Sequence, residues 1–243
     1  TAGSVVQTGG TVTLLGGTDA FGMRLGHWPG TTSTYDLTGG TFDATAYGAN
    51  ITISWDAPGT MSVGGGASAA TAKFHGINWD GGGGDSNAGI LNVLTNGTVE
   101  IGAGGFGAAS ANDKTVLNGG TLKSTATATW NSPISITNAG TIEAATGVTA
   151  TQSGVISGSG TLTKTSSGRL TLTAANTYTG DTAVSAGTLA LSGGGSITSS
   201  PAIYVAGGGV FDVSAATVAL GANQSLTGNG SVNGALTVNG TVA

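Results

Sequence analysis

The chain is read most directly from where apolar side chains alternate with small polar ones. Thr161-Leu162-Thr163, Leu170-Thr171-Leu172-Thr173 and Leu189-Ala190-Leu191 each alternate with a period of two. That period puts the aliphatics on one face of a strand and Thr or Ala on the other. No stretch carries the 3.6-residue period of an amphipathic helix. Turn chemistry separates the strands. Asn-Gly occurs at 96-97, 118-119, 229-230, 233-234 and 239-240, and Gly-Gly at 9-10, 39-40 and 119-120. These residues accept the positive φ that tight corners demand.

One unit recurs: Gly, then Thr or Ser, then an apolar residue. It stands at Gly10-Thr11-Val12, Gly40-Thr41-Phe42, Gly59-Thr60-Met61, Gly97-Thr98-Val99, Gly120-Thr121-Leu122, Gly140-Thr141-Ile142, Gly160-Thr161-Leu162, Gly187-Thr188-Leu189, Gly230-Ser231-Val232 and Gly240-Thr241-Val242. Reading the 38-residue gap after Gly59 as two periods, and the 30-residue gap after Gly10 as one and a half, gives a period near 20. Short strands returning at a fixed step describe a solenoid. The expectation is an all-β fold, a single right-handed parallel β-helix over 1–243. It should have about 11 to 12 coils of ~20 residues and a length of about 55 Å. Residues 1–110 should form irregular coils with longer loops, and 111–243 more regular ones.

Composition sharpens this. The 243 residues include 47 Gly, and charged residues are 7% of the chain. Two Glu and abundant Gly exclude a helical bundle. Six cations at a net charge of −5 provide no basic stripe, so no nucleic-acid partner is expected. No apolar run is long enough for a membrane-spanning helix. Without Cys there is no disulfide, thiolate or Cys-based metal site. Low Lys with high Thr, Ser, Asn and Gly suits a chain exported unfolded to a bacterial surface.

Residues 158–191 contain Gly160, Leu162, Lys164, Gly168, Leu170, Leu172, Asn176, Tyr178, Gly180, Thr182, Val184, Gly187 and Leu189 in a set order. This pattern resembles the autotransporter-associated β-strand repeat of bacterial passenger domains. Ser166 replaces a usual Gly, and Arg169 a usual small polar residue. The looser stretch 26–42 looks like repeats from proteins of the same kind. The resemblance implies a parallel β-helix exported to the cell surface, secreted or displayed, with no catalytic residues.

Candidate chemistry is sparse. Asn78-Trp79-Asp80 echoes one element of pectin-hydrolysing β-helices, but the paired Asp, Gly-His-Gly and Arg-x-Lys that should accompany it are missing. The acids are scattered singly, so the chain is not expected to be an enzyme. Asp80 and Asp85 flank four glycines and are the best candidate ligands for Ca²⁺; otherwise no cofactor is expected. His27 and His75 read as loop residues. Trp28, Trp55 and Trp79 follow one another roughly once per coil. On an outer face they would form a ladder stacking on sugar rings, making a surface glycan a candidate partner. Thr-x-Thr, the mark of ice-binding solenoids, is not kept through every repeat.

The remaining expectation concerns assembly. Val5, Val6, Val12 and Leu14 near one end, and Leu236, Val238 and Val242 near the other, lie in repeat-like strands rather than polar caps. Such rungs expose unpaired edges and can join head to tail, so the partner expected is the protein itself. The functional expectation is a structural subunit of a surface fibre, matrix or stalk. The rival is an adhesin or polysaccharide-binding passenger domain using the aromatic N-terminal half.

Overall fold

A computed structural model describes residues 2–14, 23–26, 29–47, 50–54, 56–79 and 87–243. Among them the chain is all-β apart from one short 3₁₀ turn, Thr45–Tyr47. Every pairing between named strands is parallel, and each strand pairs with one from the neighbouring coil. The coils therefore stack as a parallel β-solenoid.

Strands fall on three faces of the coils, the first of them ending at Ile156–Gly158. The first stacks seven strands: Gly3–Gln7, Ser33–Leu37, Gly59–Val63, Gly89–Leu94, Lys114–Asn118, Ile134–Ile136 and Ile156–Gly158. The second runs the length of the molecule, from Thr11–Thr13 through Gly40–Asp43, Thr121–Ser124, Ala139–Ala144 and Thr161–Thr165 to Thr241–Val242. The third includes Ala128–Trp130, Thr149–Gln152, Arg169–Leu172 and Gly187–Ser192. Two long strands, Ala70–Asn78 and Gly97–Phe106, turn a corner and serve both the second and third faces.

Inward side chains form columns. On the first face Leu37, Val63, Val93, Leu117 and Ile136 lie in register, all fully buried. Burial of each such side chain stabilises the fold by about 1.5–3 kcal/mol. Stacking aliphatic side chains of similar size at about 4.8 Å closes this part of the core.

The coil length differs from expectation over the first half. In the second face Thr11, Thr41, Thr71, Thr98, Thr121, Thr141 and Thr163 occupy one register position. Their numbers show two coils of 30 residues and one of 27 before the step settles to between 20 and 23. The 30-residue gap is thus one whole coil, not one and a half. The Gly-Thr-apolar unit misled because it marks all three faces: Gly59 opens a first-face strand, Gly97 a second-face strand and Gly187 a third-face strand.

Candidate functional site

Several polar side chains lie inside the fold. Gln7, Gln152, Lys164, Asn176 and Gln224 are all buried near corners of the coil. Their side chains satisfy backbone groups that no strand partner reaches. Gln152 Nε2 donates to the carbonyls of Ser132 and Gly154, both at 2.8 Å. Asn176 Oδ1 accepts from the Ile156 amide at 2.8 Å, while its Nδ2 donates to Ala174 and Ser196. Gln224 Nε2 bonds Ile197 and Ser200 and its Oε1 accepts from Gly221. These bonds join consecutive coils, so each amide acts as a corner staple. Buried backbone groups need such partners, because an orphan costs about 1–3 kcal/mol.

Lys164 does the same with a charge. Its Nζ donates to the carbonyls of Thr165 at 2.6 Å, Ser166 at 2.7 Å and Ala186 at 3.3 Å. It occupies the inward column, between Ile142 of the previous coil and Val184 of the next. Burial pulls its ammonium down to about 8, against the opposing field of Glu143. The buried Tyr178 shares a 2.7 Å hydrogen bond with Thr182, which shares another with Ser200. Burial pushes the Tyr178 hydroxyl well above its ordinary range.

Two carboxylates are also consumed internally. Asp113, 1% exposed, accepts from the amides of Gly89 and Ser110 and from Ser54 Oγ. Asp212 accepts from Ser214, Asn233 and Arg169, the last at 2.8 Å. The Ser214 hydroxyl foremost, with Arg169, holds its carboxyl down to about 2. Sequence reasoning missed both. The local clue for Asp113 is the Ser110-x-x-Asp113 turn spacing.

The exterior carries a second pattern. Two residues beyond the threonine column of the second face, Asp43, Lys73, Glu100, Lys123 and Glu143 lie in register on five successive rungs. Signs alternate at every step. Lys123 Nζ is 2.7 Å from Glu100 Oε1, and this contact raises the lysine's pKa. Thr165 continues the ladder, its hydroxyl donating to Glu143 at 3.2 Å. Opposite charges across neighbouring strands contribute about 0.2–1 kcal/mol per pair and penalise a slipped register. On these rungs a charged residue therefore stands where the second Thr of Thr-x-Thr would be.

The sequence-based candidates fare unevenly. Trp79 is wholly enclosed, so it offers no face to a sugar; its indole stacks on Phe106 at 6.1 Å. Phe106 in turn meets Trp130 edge-on at 5.3 Å, so the aromatic ladder exists as an interior column of Trp79, Phe106 and Trp130. Trp28, Trp55, His27, Asp80 and Asp85 lie outside the described residues. His75 belongs to a strand, Ala70–Asn78, rather than a loop, and its Nδ1 is 3.1 Å from Asn50 Oδ1. No group of three or more His, Asp or Glu side chains comes together to hold a metal among the described residues.

Apolar exposure gathers on the outermost rungs. Val5, Val6 and Val12 are exposed at one end, and Val232, Val238 and Val242 at the other. Leu14 and Leu236 are half-buried against the core. At the latter end the interior opens into a cavity of about 150 Å³ lined by Val205, Leu226, Val232 and Val242. Among the described residues no helix is long and apolar enough to cross a membrane.

Residues 162–191 match the family model of the passenger-associated-transport-repeat. No curated protein and no solved structure matches the chain. The matched stretch holds Lys164 and Asn176, two of the groups that staple one coil to the next. Residues 162–191 are thus similar to a passenger-associated-transport-repeat and sit within a parallel β-solenoid.

Proposed function

We propose that this chain is a non-enzymatic structural solenoid of a passenger-type protein, displayed outside a bacterial cell. The observation carrying this reading is the passenger repeat itself. It is built into the rod as continuous coils, and its polar groups are spent on holding those coils together. A structural role needs no cofactor. A tag inserted at Gly147, a turn with open space around it, tests the placement in the native bacterial host. Antibody labelling and protease shaving of intact cells should reach the tag. Access only after lysis would overturn the reading.

The end rungs support a finer version, in which copies join head to tail. Val5 and Val12 belong to the inward columns that continue as Tyr35 and Phe42, yet Val5 is 53% exposed. A rung from a second copy would cover this edge and extend each column. Electron microscopy across a concentration series should then show filaments with an axial repeat close to the length of one chain. Val12→Asp and Val242→Asp should each abolish them. Monomeric rods at all concentrations would refute end-to-end assembly and leave the display reading intact.

A further inference from the structure

We infer that the second face is also a lateral docking surface, and that its occupant is a second copy of this chain lying antiparallel. The argument starts from the ladder Asp43, Lys73, Glu100, Lys123, Glu143. Within one chain this order fixes register. It has a further property: it is complementary to its own reverse. A twofold axis placed between the Glu100 and Lys123 rungs sets Glu100 against the partner's Lys123. The same operation sets Lys73 against the partner's Glu143. Asp43 then faces Thr165 of the partner subunit, whose one hydroxyl proton goes to Glu143 of its own chain, so this rung sets a carboxylate against a neutral group and opposes no like charge.

Neighbouring registers are worse. Moving the partner by one rung puts the axis on a charged residue, and every charge meets its own sign. Moving it by two rungs toward Thr13 keeps as many opposite-charge pairs, Lys73 with Glu100 and Asp43 with Lys123, but relies on Asp43, whose carboxylate already accepts from the Thr45 amide and hydroxyl, and runs the contact onto the exposed end rung of Thr13. Contacts made twice by one symmetric patch characterise an isologous dimer. Beside the ladder runs the column of Thr11, Thr41, Thr71, Thr98, Thr121, Thr141 and Thr163, all short side chains at one register position. Six rungs by the length of one strand amount to about 30 by 15 Å, which places the contact at the weak, transient end of specific interfaces. Its ion pairs border solvent, so salt weakens it.

The test uses the whole chain and does not depend on the end rungs. In Asp43→Cys/Thr165→Cys the two thiols lie five rungs, about 24 Å, apart within a chain, too far for an internal disulfide. Mild oxidation at low salt should give a covalent dimer, and raising the salt several-fold should slow it about tenfold. The control pairs Asp43→Cys with Ser135→Cys on the first face. Crosslinking no faster than this control would overturn the proposal. Sedimentation gives an independent reading. Lys123→Glu should remove the dimer, and Glu100→Lys/Lys123→Glu should restore it, since exchanging the signs preserves every contact across this axis and opposes those of the other register. Circular dichroism checks that both variants remain folded. A folded exchange variant that stays monomeric, or a dimer indifferent to Lys123→Glu, would also overturn the proposal.

Discussion

The ammonium of Lys164 donates to the carbonyl oxygen of Ser166 at 2.7 Å, and Ser166 holds a φ of 61°. The two residues solve one corner together. A left-handed residue turns the chain inward, and its freed carbonyl points at the buried cation. Removing the cation leaves the carbonyls of Thr165, Ser166 and Ala186 short of a donor in the core. Lys164→Met, which keeps the volume, should therefore destabilise the fold by about 2–4 kcal/mol, read from urea unfolding. Hydrogen exchange should accelerate most between residues 162 and 191.

Ser166 stands where this repeat usually has Gly, and the backbone explains why. A non-glycine side chain in the left-handed region costs about 1 kcal/mol or more, part of which returns as the lower unfolded-state entropy of Ser. Ser166→Gly should raise stability by about 0.5–1 kcal/mol. A melting temperature unchanged or lowered would show that the Ser side chain contributes something its hydrogen-bond geometry does not reveal.

Stability should depend on pH in the alkaline range with a definite sign. The folded chain releases the Lys164 proton near 8, while the unfolded chain keeps it to about 10.5. Between those values the unfolded state binds more protons, so stability rises with pH. Tyr178 acts oppositely above its ordinary value of 10, because the folded state holds a proton the unfolded state loses. Melting curves should climb from pH 8 to about 10 and then fall. In Lys164→Met the climb should be absent.

Corner glycines divide into two kinds. A Cβ on Gly180 would run into the carbonyl of Gly160 on the coil beside it, while one on Gly193 would meet nothing but carries a φ of 58°. Gly180→Ala should cost several kcal/mol, because backbone on both sides resists moving; Gly193→Ala should cost about 1 kcal/mol, from conformation alone. Equal losses in thermal unfolding would contradict the tight approach of these coils.

Much of the architecture was legible before any coordinates. The alternation in Thr161–Thr165 and Arg169–Leu172 names both strands and their buried residues, since period two admits one inward set. Coil length was not legible where loops are long. A Gly-Thr-apolar unit looks the same on any face, so Gly59 and Gly97 could not be told apart as belonging to different ones. The charge ladder was hidden for the same reason. Asp43, Lys73 and Glu100 are 30 and 27 residues apart, and only strand pairing shows them to be neighbours. Trp79 misled because regular spacing says nothing about which side of the strand a residue takes.

The parallel stacking has a mechanical consequence. Hydrogen bonds between coils point along the axis of the rod, so a pull along that axis loads them one rung at a time instead of sharing force across a whole ladder. Such a rod yields by peeling from an end at modest force. The corner staples add a catch at intervals: Gln152, Lys164, Asn176 and Gln224 each bind backbone of an adjacent coil. Extension of a tethered chain should thus proceed as a series of small releases, the longest pauses falling where a buried side chain must let go of its carbonyls.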